Sequence, residues 1–356
     1  MSTRQDPGDI TTIDQLIARA REVLDPSLYE WAAAGAGQGV TTSRNSLALN
    51  RLALVPHMMS DVSRVDTTTS YMGVQMALPV LLAPVAALGL YAHGDALAAA
   101  EAATRAGTST FCAMLTGSEW EEVAATAPGR HYFQVYPMGD RQWLGDIVDR
   151  VESAGFAGIC VTVDSPVIGR RDRSLESGFK WSIAAEGTSG IARHGYDYSF
   201  RTTFSWSDLA WLCAHTPLPV TVKGVMTARD AAEAVECGVA GVYVSNHGGR
   251  MVDHALSAIE ALGEVVDAVD GRVDVAIDSG FTRGAEICKA LGLGARAVGI
   301  GRLQCWGLAI GGVAGLSRAL EILRDEISIT MANIGAPNVA AITPAHVRWS
   351  IAAPPV

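Results

Sequence analysis

Short runs of consecutive apolar, often β-branched residues alternate along the chain with Ala-rich segments whose apolar positions recur at helical spacing. The runs predict strands over residues 78–86, 108–115, 131–137, 158–166, 218–225, 241–249, 273–280 and 297–302. Most are apolar at successive positions rather than at every second one, the pattern of strands covered on both faces. The periodic segments predict helices over 95–106, 141–154, 227–237, 255–269 and 282–291. Gly107, Gly155, Gly238 and Gly292 stand where these helices end, as left-handed terminating residues. Eight strands alternating with helices predict an α/β fold, a closed (β/α)8 TIM barrel. An open doubly wound sheet needs a Gly-rich dinucleotide turn after its first strand, and Ala83-Pro84-Val85-Ala86 is not one.

Two stretches stand outside the alternation. Residues 1–75 carry two helical patterns, 13–23 and 26–35, and an irregular arm, expected to pack onto a barrel formed by 76–356 within one domain. Residues 167–204, after the fourth strand, lack periodicity and hold Gly169, Gly178, Gly187, Gly190 and Gly195. A loop that long is expected to be a functional lid or disordered.

Composition narrows the function. With 27 basic against 37 acidic residues the net charge is −10, and no Lys/Arg cluster interrupts it. That balance disfavours nucleic acid and anionic membranes as partners and leaves small molecules. The N-terminus has no secretory pattern, and the apolar stretch 76–92 is broken by Pro79, Pro84 and Gly89, short of the ~20 residues that span a bilayer. Six scattered cysteines without a C-x-x-C pair suit reduced core thiols, so a cytoplasmic location is expected.

In this barrel fold chemistry sits at the C-terminal ends of the strands. Six of the eight predicted strands end in polar residues there: Gln134 and Tyr136, Thr162 and Asp164, Lys223, Ser245 to Arg250, Asp278 to Gly280, and Gly301-Arg302. Only three lysines occur, yet one of them, Lys223, interrupts an apolar run. It reads as a cation held against an anion, as a Schiff-base lysine, or as a chain snorkelling from the strand end. His247, in Ser-Asn-His-Gly-Gly-Arg, reads as a base acting on a substrate whose carboxylate Arg250 holds, with Asp164 orienting the imidazole. The turns after strands seven and eight occupy the usual phosphate position of barrels.

The segments 218–225, 244–250 and 276–284, with Ile300-Gly301-Arg302, resemble the FMN-dependent 2-hydroxy acid oxidases and dehydrogenases, among them glycolate, lactate and mandelate-oxidising enzymes. The similarity runs from about residue 27 to the C-terminus, and the Ser-Asn-His-Gly-Gly-Arg element is its most specific part. The resemblance implies FMN as cofactor and His247 as the catalytic base. It implies that Arg171 and Arg250 clamp the substrate carboxylate, that Tyr136 bonds the substrate, and that Lys223 faces the flavin pyrimidine edge. Pro84, Val85, Ala86, Gln134, Thr162 and Ser245 would line the flavin ring. Asp278 would hold the ribityl chain, and Gly280, Arg283, Gly301 and Arg302 the phosphate. A homotetramer is also implied.

Four positions depart from the family pattern. Trp31 stands for the usual carboxylate-binding tyrosine, Leu115 for a pocket tryptophan of glycolate oxidase, Ala113 for a serine and Thr282 for a phosphate-loop arginine. Together they predict a wider, more apolar pocket touched by Trp31 and Leu115. The expected reaction is oxidation of a bulky or aryl, mandelate-like (S)-2-hydroxy acid to the 2-keto acid, with O2 as acceptor. The alternatives are oxidative decarboxylation as in lactate monooxygenase, a tailoring oxidation of an atypical substrate, and a phosphate-ligand isomerase or lyase using Lys223.

Overall fold

A computed structural model describes residues 6–180 and 199–350. Its centre is a closed barrel of eight parallel strands in sequence order. They are β1 (Val80–Leu82), β2 (Ser109–Ala113), β3 (Tyr132–Val135), β4 (Gly158–Thr162), β5 (Val220–Val225), β6 (Gly241–Val244), β7 (Asp274–Ile277) and β8 (Ala297–Ile300). The ring closes where β8 pairs with β1, Val298 opposite Val80. The expected TIM barrel is thus observed. Each strand is shorter than its apolar run because residues such as 83–86, 163–166 and 245–249 leave the ladder to form the rim loops.

The two-residue period of a strand separates packing from chemistry inside this barrel. Leu81, Phe111, Tyr132, Cys160, Tyr243, Ala276 and Ala297 form one apolar layer in the lumen. Two positions further along β3, β4, β6 and β7 the same inward face presents Gln134, Thr162, Ser245 and Asp278, and on β5 Thr221 is followed by Lys223. The opposite end is plugged by the hairpin Thr69–Tyr71 and Val74–Met76, whose Tyr71 hydroxyl lies 2.9 Å from Thr221 Oγ1.

The surrounding helices are α1 (Ile13–Val23), α2 (Pro26–Ala33), α3 (Val40–Arg51), α4 (Asp95–Ala106), α5 (Trp120–Ala125), α6 (Arg141–Ala154), α7 (Asp172–Glu176), α8 (Ser199–Thr203), α9 (Trp206–His215), α10 (Ala228–Glu236), α11 (Ala258–Val269), α12 (Gly284–Gly292) and α13 (Arg302–Ile334). Those with strong start and stop residues fall where the pattern places them: α6 is capped by Asp140, whose carboxylate accepts from Trp143 N at 2.8 Å, and ends at Gly155 with φ 87°. Gly292 is a correction. It lies inside α12, where a Cβ would come within 2.2 Å of Val347, and Gly294 with φ 100° makes the turn.

The irregular arm expected before residue 75 contains α3, which starts at Gly39 without a side-chain cap and so gives no start signal. Helix α13 is long and apolar enough to cross a membrane, but half of its most apolar window is buried, and it bends at Gly311–Gly312 and packs on α1 and α4. Of the expected lid, 167–180 and 199–204 are described and carry α7 and α8, while 181–198 lie outside the described residues.

Candidate active site

A cavity of about 400 Å³ opens at the C-terminal ends of the staves. Lys223 reaches it from β5 through a bulge: the β5–β6 register shifts between Lys223 and Val225. Gly224 makes that shift possible, with φ 112° and no Cβ, where a methyl would stand 2.5 Å from the Cβ of Asp164. Lys223 Nζ donates to Ser245 Oγ at 2.8 Å and lies 3.2 Å from Asp278 Oδ2, while Ser245 donates to Asp278 Oδ1 at 2.6 Å. Burial alone would depress the ammonium, but Asp278, then Asp164, Cys160 and Tyr136 together outweigh it and hold its pKa above the ordinary lysine range. An ammonium held this way by Asp278 and Ser245 is a poor amine nucleophile, which argues against the Schiff-base alternative.

His247 follows β6 with φ 57°, a conformation costly for a residue with a side chain and of the kind that clusters at functional sites. Its Nδ1 lies 2.9 Å from Asp164 Oδ1, which leaves Nε2 as the ring nitrogen not engaged by that carboxylate. Burial raises the Asp164 pKa, and the His247 imidazole, the Lys223 ammonium and a backbone hydrogen bond together lower it more, so the carboxyl titrates below its ordinary value. The glycines behind His247 serve the arm as much as any ligand. A Cβ on Gly249 would meet Thr42 N at 2.6 Å, and Gly249 O accepts from Ala36 N at 2.8 Å.

Arg171, Arg250 and Arg302 all line the cavity. Burial first, then mutual repulsion with Arg250, brings Arg171 and Arg302 down to about 10. Three such cations facing one space call for anions. Arg250 Nη1 donates to Ala32 O and Ala34 O, each at 2.8 Å, at the C-terminus of α2, and its guanidinium lies 5.4 Å from the Trp31 ring centroid. Arg302 donates to Ala32 O at 3.1 Å and to Gly248 O at 3.0 Å. Trp31 in turn packs against Phe179 with centroids 5.4 Å apart.

Most of the residues assigned by sequence meet here. Pro84, Val85, Ala86, Leu115, Tyr136, Asp278, Gly280 and Gly301 line the cavity; Gln134, Thr162 and Ser245 are buried at the stave ends, and Ala113 is buried outside the lining. Arg283 is a correction. It is 43% exposed, pairs with Glu326 at 2.7 Å and lies 3.4 Å from Asp14, outside the lining. The cause is local. Glu286 accepts from the amides of Thr282 at 2.7 Å and Arg283 at 3.0 Å, and Glu326 accepts from Gly284 N at 2.7 Å, so carboxylates already close the start of α12. Sequence reading did not assign Met138, Ser165, Met251 or Arg201, all of which line the cavity; none stands in a motif.

The residues present fit FMN. Gln134 Nε2 and Thr162 Oγ1 are buried without a hydrogen-bond partner among the described residues, polar groups of the kind a flavin ring satisfies. The first amides of α13, after Gly301, have no side-chain cap, and nothing lies within 4 Å of where a Cβ on Gly301 would be. Fold and site together define a (β/α)8 barrel oxidoreductase with a cradle for a phosphate-tailed ring cofactor. Residues 20–349 match the model of the FMN-dependent dehydrogenase family, and the chain belongs to that family. It is 39% identical over 358 aligned residues to glycolate oxidase 1 of Zea mays, covering 96% of both chains. It is 37% identical to an L-lactate oxidase of Nostoc sp. (94% of this chain, 96% of the relative). A crystal structure of mandelate oxidase superimposes with a TM-score of 0.88 at 36% identity, covering 96% of this chain and all of that one. The protein is therefore an FMN-dependent oxidoreductase acting on the CH–OH group of 2-hydroxy acids.

Proposed function

We propose that the chain oxidises a bulky, aryl-bearing (S)-2-hydroxy acid to the 2-oxo acid and passes the electrons to O2. The observation that carries the substrate class is the set of large apolar side chains that share the cavity with two arginines. Trp31, Leu115, Met138, Ile168 and Met251 line the cavity that Arg171 and Arg250 also enter. An indole donates one hydrogen bond and accepts none, so Trp31 offers mainly a flat apolar surface where a tyrosine would offer a hydroxyl. Structures of mandelate oxidase with (S)-mandelic acid and with benzoylformic acid are among the solved relatives, which supports an aryl group.

In this reading Arg171 and the part of Arg250 not engaged with α2 hold the carboxylate. Tyr136 donates to the α-oxygen. His247 takes a proton at Nε2, and Asp164 keeps the ring in the tautomer that can do so and stabilises the cation that results. The buried ammonium of Lys223 favours negative charge at the cavity floor. Bound FMN supplies the two-electron acceptor for the substrate carbon.

The test is anaerobic mixing of the FMN-loaded protein with (S)-mandelate, (S)-lactate and glycolate, followed by admission of oxygen. The expected result is bleaching of the yellow colour fastest with mandelate, then peroxide and benzoylformate in equal amounts. Faster bleaching by glycolate or lactate overturns the aryl assignment. Benzoate and CO2 in place of benzoylformate overturn the simple oxidase.

A further inference from the structure

Arg201 stands outside the motifs of the sequence and enters the cavity from α8, on the far side of the segment that follows β4. Its guanidinium lies over the face of Tyr136, 4.9 Å from the ring centroid. Its Nη2 donates to the carbonyl oxygen of Ser165 and, at 2.9 Å, to Ser165 Oγ. Ser165 is buried and directly follows Asp164, the partner of His247. One side chain thus spans the Tyr136 phenol, which the function proposed above places at the substrate α-oxygen, and the turn that holds the Asp–His pair.

We propose that Arg201 is a positioning residue for the oxidation of the 2-hydroxy acid: it fixes the Tyr136 ring against the β4 turn and strengthens the phenol as a hydrogen-bond donor. A cation on the face of an aromatic ring is attracted by its electron density, and withdrawing that density makes the O–H more acidic. The groups facing Tyr136 oppose one another. Burial, then Asp164 from the β4 turn and Cys160 from β4, raise its pKa; Lys223 from β5 and Arg201 from α8 lower it, and Arg171 and Arg250 also face it. Among these cations Arg201 is the one in contact with the ring face. The outcome is a phenol that keeps its proton and donates it strongly toward an oxygen on which charge develops.

The experiment is a double-mutant cycle on the FMN-loaded protein: wild type, Arg201→Met, Tyr136→Phe and the pair, with Arg201→Lys as the conservative variant. Two quantities are read, the rate of anaerobic flavin bleaching by (S)-mandelate and the Kd of oxalate from the change in flavin absorbance. Arg201→Met is expected to slow bleaching and weaken oxalate by about tenfold, and Arg201→Lys to recover much of both. In the Tyr136→Phe background Arg201→Met is expected to change either by no more than about twofold, because the effect passes through the hydroxyl. An undiminished effect in that background overturns the proposal in favour of a direct contact with the ligand. No effect in the single variant also overturns it, as does equal loss of FMN and thermal stability in the Met and Lys variants. Oxalate has no side chain, so its arm stands even if the aryl assignment fails.

Discussion

Asp164 Oδ1 lies 2.9 Å from His247 Nδ1, and the Cβ of Asp164 occupies the space that a side chain on Gly224 would need. The carboxylate–imidazole pair therefore depends on a bulge one strand away. The same bulge interrupts the β5 ladder immediately after Lys223, so a single glycine conditions both Asp164 and Lys223.

Asp164→Asn removes the charge while keeping the shape. It is expected to slow flavin bleaching by about 10²- to 10⁴-fold while the protein stays yellow. Stopped-flow reduction with an absorption spectrum of the same sample checks both. The folded carboxyl titrates below its ordinary value, so the stability it contributes is present at neutral pH and is lost as pH falls through the folded pKa. The Asn variant is expected to lack that component of acid destabilisation.

Lys223→Met leaves Asp278 buried without its cation. Removing one member of a buried pair costs about 3–5 kcal/mol, so a fall in unfolding temperature and faster loss of FMN are expected. Lys223→Met with Asp278→Asn is expected to recover stability but not flavin bleaching. Thermal unfolding and fluorescence of released flavin measure the two effects. Equal stability of Lys223→Met and wild type contradicts the ion-pair account.

At the phosphate end Arg302 is the half-buried cation in the cavity lining, while Arg283 is turned to Glu326. Arg302→Ala is expected to weaken FMN by about 1.5–3 kcal/mol, roughly ten- to a hundredfold in Kd. Arg283→Ala should leave the Kd within about threefold and cost at most about 1 kcal/mol of stability, because its pairs are partly exposed. Thr282→Arg, in the cavity lining, is expected to tighten FMN. Titration of apoprotein by flavin fluorescence orders the three.

His131 is buried, with its Nε2 3.1 Å from Thr104 Oγ1 and its Nδ1 accepting from Thr110 N at 3.4 Å. Burial, then Arg130, lowers its pKa from 6.5 to about 4. The unfolded chain therefore takes up this proton first, and stability falls as pH drops from about 6.5 to about 4, by about 3 kcal/mol in all. Above that window the group contributes no slope. Unfolding temperatures across the window should fall steeply in wild type and less in His131→Gln.

The barrel was legible because its signals are local. Continuous apolar runs mark strands covered on both faces, α6 begins at its Asp140 cap and ends at Gly155, and α1 and α4 each carry one such signal, the Thr12 capping box at the start of one and Gly107 at the end of the other. Helix α3 was not legible, since neither Gly39 at its start nor Leu52 at its end gives a capping signal. The rim was legible in part for a related reason. A two-residue period carries each inward face from apolar to polar, so Gln134, Thr162, Ser245 and Asp278 announce themselves at strand ends.

Contacts between distant segments belong to the tertiary structure. Arg283 and Arg302 look alike in sequence, yet Glu326, more than forty positions on, draws one outward, while the α2 carbonyls meet the other inside. Arg201 carries no motif and acquires a role only where α8 returns over Tyr136. Strand patterns and caps are set by neighbours along the chain, whereas the destination of a long charged side chain depends on which counter-charge the closed barrel brings within reach.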